Sequence, residues 1–108
     1  MLSSSIASAQ DFEIKWNDAA GREFSIYAIS GNFKFGALPG DNLNYNYNGK
    51  ISLVGLTRIN YNYDGKVSSV GLTRISYNYE GKVSSVGGLS VYYDYLGRVS
   101  GTSGNVNY

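Results

Sequence analysis

The stretch Tyr61–Ser76, YNYDGKVSSVGLTRIS, is followed without a break by Tyr77–Tyr92, YNYEGKVSSVGGLSVY. YNYNGKISLVGLTRIN precedes the pair at residues 45–60, and YDYLGRVSGTSGNVNY follows it at residues 93–108. The period is sixteen residues with no insertion. Self-similarity at a fixed period means that each copy is one structural unit meeting its neighbours in the same way.

One turn is legible in every unit. Asn46-Tyr47-Asn48-Gly49-Lys50 recurs as Asn62-Tyr63-Asp64-Gly65-Lys66, Asn78-Tyr79-Glu80-Gly81-Lys82 and Asp94-Tyr95-Leu96-Gly97-Arg98. An Asn or Asp side chain caps a turn by accepting from the N–H two residues on. Glycine three places later suits the left-handed residue of a three-residue hairpin loop, a type I turn closed by a G1 bulge. A two-residue type I′ turn centred on Asp64-Gly65 competes with it. The side-chain pattern favours the longer loop. It sets Asn62 opposite Lys66, Tyr61 opposite Val67 and Ile59 opposite Ser69, whereas the shorter loop mixes the two faces of the strand pair.

If Gly71-Leu72-Thr73 is also a three-residue loop, Ser69 faces Ile75, Val67 faces Tyr77, and the faces stay in phase. Five-residue strands alternating with three-residue loops then account for the period. Each unit is one β-hairpin, and the fold expected is all-β: an antiparallel meander forming a twisted sheet, rolled into a barrel or flattened into a sandwich. Tyr45, Ile51, Tyr61, Val67, Tyr77, Val83, Tyr93 and Val99 line one face of that meander. Lys50, Lys66, Lys82 and Arg98 share the other with Asn46, Asn62, Asn78 and Asp94. An apolar face of that width becomes an interface. A solenoid with one unit per coil is the structural competitor, and the hairpin turns argue against it.

Residues 11–44 read as a cap on the array. DFEIKWNDAAGREFSIYAISG, residues 11–31, forms a hairpin turning at Asp18–Arg22, with Trp16/Phe24, Ile14/Ile26 and Phe12/Ala28 as facing pairs. Its phase is shifted, because the apolar side here bears the turn aspartate. A strand at Asn32–Gly36 and a loop at Leu38–Asp41 follow.

The element Tyr93-Asp94-Tyr95-Leu96-Gly97-Arg98-Val99 resembles the YD repeat, or Rhs repeat, whose core is Tyr-Asp-x-x-Gly-Arg followed by an aliphatic residue. The three earlier units resemble it with Asn for Asp and Lys for Arg, and Asp18–Arg22 matches part of it. The resemblance implies β-hairpins in a spiralling sheet, which in large members of the family encloses a toxin or binds surface carbohydrate. This chain has a shorter period and few copies, and four hairpins cannot enclose a protein cargo.

Composition excludes much chemistry. The 108 residues include no cysteine and no histidine, so disulfides, thiolate nucleophiles, Cys/His metal sites and imidazole-based triads are ruled out. With no EF-hand loop or clustered aspartates either, the expectation is a protein that is not an enzyme and needs no metal or cofactor. Nine Lys and Arg against eight Asp and Glu give a net charge of +1, too little to argue for a nucleic-acid partner. No run of about eighteen apolar residues suggests a transmembrane segment. A single domain of this size buries about two thirds of its unfolded surface.

The first ten residues, MLSSSIASAQ, place Ala7-Ser8-Ala9 before Gln10, the small-x-small form that signal peptidase cuts after. They read as the remnant of a signal peptide, which makes the protein periplasmic or secreted; an ordinary polar tail and a cytoplasmic protein are the alternative.

The candidate binding surface is the first loop position of each unit, Tyr47, Tyr63, Tyr79 and Tyr95, with Lys50, Lys66, Lys82 and Arg98 beside it. Regularly spaced phenol rings next to cations suit stacking on a glycan or docking of a protein. The alternative is that each ring packs on its own hairpin and on the next ring. Two functions follow: an exported binding module reading a glycan or envelope component through the Tyr/Lys edge, or a structural protein that assembles as a homo-oligomer.

Overall fold

A computed structural model describes residues 11–107. The expected cut site at Ala7–Ala9 lies outside the described residues. The described residues form eleven strands and no helix: β1 (Glu13–Asn17), β2 (Glu23–Tyr27), β3 (Phe33–Phe35), β4 (Leu43–Tyr45), β5 (Ile51–Val54), β6 (Thr57–Tyr61), β7 (Val67–Val70), β8 (Thr73–Tyr77), β9 (Val83–Val86), β10 (Leu89–Tyr93) and β11 (Val99–Ser103). Every pairing is antiparallel between sequence neighbours. β1 to β3 make a small sheet, and β4 to β11 an eight-stranded meander in chain order. The meander is open, with β4 and β11 at its edges, so it does not close into a barrel.

The three-residue turn is present in all four units. In the second, the Asn62 N–H donates to the Lys66 carbonyl at 2.8 Å and the Gly65 N–H to the Asn62 carbonyl at 3.0 Å. Asn62 Oδ1 accepts from the N–H groups of Asp64 and Lys66, at 2.9 and 3.0 Å. Gly65 has φ of +80°, the left-handed conformation that closes the G1 bulge without a Cβ penalty. Tyr61 faces Val67 as expected.

Beyond that pair the register departs from the sequence reading. Ile59 faces Val70, not Ser69, and Asn60 faces Ser69, because Ser68 is an extra residue opposite Tyr61. The same bulge recurs between the other hairpin partners. At the far end the loop is the two-residue Gly71-Leu72, pairing Val70 with Thr73 and Ser69 with Arg74. Gly71 has φ of +59°, placing a left-handed glycine first, as a type II′ turn requires. The bulge adds one residue where the turn removes one, so the period is unchanged.

The bulge decides what is buried. Val67 and Val70, three apart, both face inward, at 3% exposure each. Val54 and Val86 are buried in the same way, and Ile51, Ile59, Ile75, Val83 and Val91 complete this side of the core. The small sheet lays Ile14, Trp16, Phe24, Ile26 and Ala28 against them, so both sheets share one cluster. Full burial of each such side chain contributes about 1.5–3 kcal/mol. The first hairpin has the facing pairs the sequence indicates, Trp16 with Phe24 and Ile14 with Ile26.

That hairpin has no bulge, and its phase is shifted relative to the repeat units: the side chain of Asp18 points toward the meander. Asp18 Oδ2 accepts from Thr57 Oγ1 at 3.0 Å and from Arg22 Nη1 at 3.1 Å. Arg22 also grips Asp41 through two hydrogen bonds of 2.8 Å. These four residues lock the first turn to both the loop before β4 and the start of β6. The Val83 N–H donates to the Ala28 carbonyl at 2.8 Å, a second tie between the sheets.

Candidate functional site

The alternation of turns gives the meander two unlike ends. The three-residue turns lie at one end and carry Tyr47, Tyr63, Tyr79 and Tyr95; the Gly-initiated two-residue turns lie at the other. The four rings are 97%, 107%, 98% and 95% exposed. They rest neither on their own hairpins nor on each other, which removes the packing explanation for them. Equivalent positions two strands apart stand about 9.6 Å from one another, so the rings form a spaced row along the end of the sheet.

An exposed ring makes no demand on the fold. In the fourth unit the counterparts of Asn62, Lys66 and Val70 have become Asp94, Arg98 and Thr102, yet Tyr95 remains. Its neighbour at the turn tip varies freely, through Asn48, Asp64, Glu80 and Leu96.

The cations are placed differently from what the sequence suggests. Lys50 Nζ donates to the Gly65 carbonyl of the next unit at 2.8 Å and lies 5.4 Å from the Tyr61 ring centre. Lys66 repeats this on Gly81 and Tyr77, at 2.7 and 5.5 Å. Lys82 lies 6.0 Å from the Tyr93 ring centre and pairs with Glu80 at 3.0 Å. Arg98 instead turns back to Asp94, also at 3.0 Å. The lysines are thus struts between units rather than companions of the loop tyrosines.

The inner tyrosines complete the struts. The Tyr61 hydroxyl donates to the Ile51 carbonyl at 2.7 Å, Tyr77 to Val67 at 2.6 Å, and Tyr93 to Val83. Burial pushes the Tyr77 and Tyr93 phenols up to about 12.

Two of the carboxylates, Asp18 and Asp41, are tied to Arg22. Hydrogen bonds from Arg22, and then from the Leu38 N–H, hold Asp41 down at about 2. Burial raises Asp18, but the N–H and guanidinium of Arg22 outweigh it and the net shift is downward. Both are structural anions. Among the described residues no group of three or more acidic side chains could hold a metal, and no helix is long and apolar enough to cross a membrane.

The two-residue-turn end holds a cleft of about 620 Å³ lined by Trp16, Ala19, Phe24, Leu56, Val70 and Leu72 among others. Leu56 and Leu72 at its rim are 95% and 106% exposed. Turn chemistry alone does not single them out, because a glycine-led turn sets the register whatever residue follows the glycine. No family profile, curated protein or solved structure matches the chain.

Proposed function

We propose that this chain is a non-enzymatic binding module of YD-like hairpin repeats, exported from the cytoplasm, that takes a glycan or another envelope component along its tyrosine-tipped end. The observation that carries this reading is the row of four solvated rings, retained where packing does not need them. Exposed aromatic faces offer large contact area at little conformational cost and stack on the apolar faces of sugars. Several equivalent contacts on one extended ligand act together through effective concentration. The cation at the edge that is not used as a strut to a following unit is Arg98, 60% exposed at its side chain; the row itself is aromatic rather than aromatic and cationic.

The test is a screen of immobilised glycans and peptidoglycan with the native chain and a variant in which Tyr47, Tyr63, Tyr79 and Tyr95 are all Ser. Retention by the native chain and loss by the folded variant supports the reading. Equal retention of both proteins, or of neither, refutes it. Export is tested separately by sequencing the N-terminus of the native protein, where a start at Gln10 is expected.

A further inference from the structure

The contacts between successive units form a junction with two complementary halves. One half is a cation and the carbonyl after it, as in Lys66 and Val67. The other is a tyrosine and the glycine carbonyl of its turn, as in Tyr77 and Gly81. The lysine reaches the glycine carbonyl and covers the ring, while the phenol donates to the valine carbonyl. Backbone pairing contributes little at this half of the junction. β7 and β8 share only the pairs Ser69–Arg74 and Val70–Thr73, both beside the two-residue turn.

Among the described residues, each edge of the meander displays one half unfilled. At β4, Tyr45 is 58% exposed. The space over Gly49 is open, whereas a lysine ammonium stands over each of Gly65, Gly81 and Gly97. At β11, Arg98 occupies the place of the lysine and the Val99 carbonyl that of the acceptor. Among the described residues no strand covers this edge. After Ser103 the chain turns back, and the Val106 carbonyl accepts from the Gly88 N–H at 3.4 Å.

From this we infer that the β11 edge of one copy docks on the β4 edge of a second, with Arg98 over the Tyr45 ring and the Tyr45 hydroxyl on the Val99 carbonyl. An exposed edge strand is a template for another chain, and arginine suits an aromatic face at least as well as lysine. The contact is heterologous, so copies join head to tail, into a ring or an open chain, and association does not stop at a dimer. It uses neither the loop tyrosines nor any ligand, and stands or falls apart from the function proposed above.

Sedimentation of the native chain should show average mass climbing past that of a dimer between about 10 µM and 1 mM, the range of a small interface. A monomer throughout, or a mass that levels off at the dimer, overturns the inference. Tyr45→Ser and Arg98→Glu should each stay monomeric alone, yet an equal mixture should give dimers, since each retains the edge the other lacks. A mixture that remains monomeric also overturns it. Tyr45→Phe, which leaves the fold untouched, should weaken association about three- to tenfold through loss of one hydrogen bond; unchanged association would exclude the phenol from the contact.

Discussion

The ammonium of Lys66 lies 2.7 Å from the Gly81 carbonyl and 5.5 Å from the centre of the Tyr77 ring, so a cation from one unit closes over the aromatic of the next. Such contacts make each hairpin depend on its neighbours, and an isolated two-stranded hairpin is marginal in water. A cation over a ring adds about 0.5–1 kcal/mol at an exposed site and more as water is excluded.

Tyr77→Phe should therefore destabilise the chain, by about 1–2 kcal/mol, because it strands the Val67 carbonyl that the hydroxyl serves. Tyr45→Phe should leave the urea midpoint unchanged, as the ring is more than half exposed with no described strand on its outer side. Equal effects of the two substitutions would remove the strut from the explanation of stability.

Alkaline pH should weaken the fold. The Tyr77 and Tyr93 phenols ionise near 12 in the folded chain against 10.0 unperturbed, because burial penalises the phenolate. The unfolded chain thus loses these protons first, and stability, at its full value below pH 10, falls as pH rises from about 10 to 12. Thermal melts across that range, with absorbance at 295 nm following ionisation, check the sign. In Tyr77→Phe with Tyr93→Phe the fall should be shallower.

The acid limb has the opposite sign. Asp41 ionises at about 2 in the folded chain and Asp18 below its ordinary value of 3.8, so their contribution is complete above pH 4 and is lost on acidification toward 2. Asp41→Asn should lower stability at neutral pH and flatten its decline in acid. Acid titration followed by the single Trp16 would show this.

Much of this architecture is legible in the repeated letters. The turn Asn62–Lys66 is fixed by an Asx cap and a glycine at set offsets, and the pair Tyr61–Val67 follows from it. The facing pairs of the first hairpin are equally plain, since no bulge interrupts β1 and β2. The bulge at Ser68 is harder to read, because one added residue in the strand and one removed from the Gly71 turn leave the period at sixteen. A period constrains only their sum. The signal was the spacing Val67-Ser68-Ser69-Val70, recurring at residues 83–86, which strict alternation cannot bury at both ends. Turn chemistry sets Tyr63 and its counterparts at the first loop position, but whether a ring there packs or stands in solvent is not written in the turn. The lysines are not placed by it, because their partners belong to the next unit and the distance of that unit depends on the missed turn.

The bulge is tested most directly by urea unfolding of Ser69→Lys and Val70→Lys. Ser69 lies on the outer face, where its Oγ accepts from Asn60 Nδ2 at 2.9 Å, and Val70 is 3% exposed. Ser69→Lys should stay within about 0.5 kcal/mol of the native chain, and Val70→Lys should lose at least about 3 kcal/mol by forcing a charge into the core. The reverse order would mean that the strands alternate without a bulge, and would contradict the register on which the core and both ends of the meander rest.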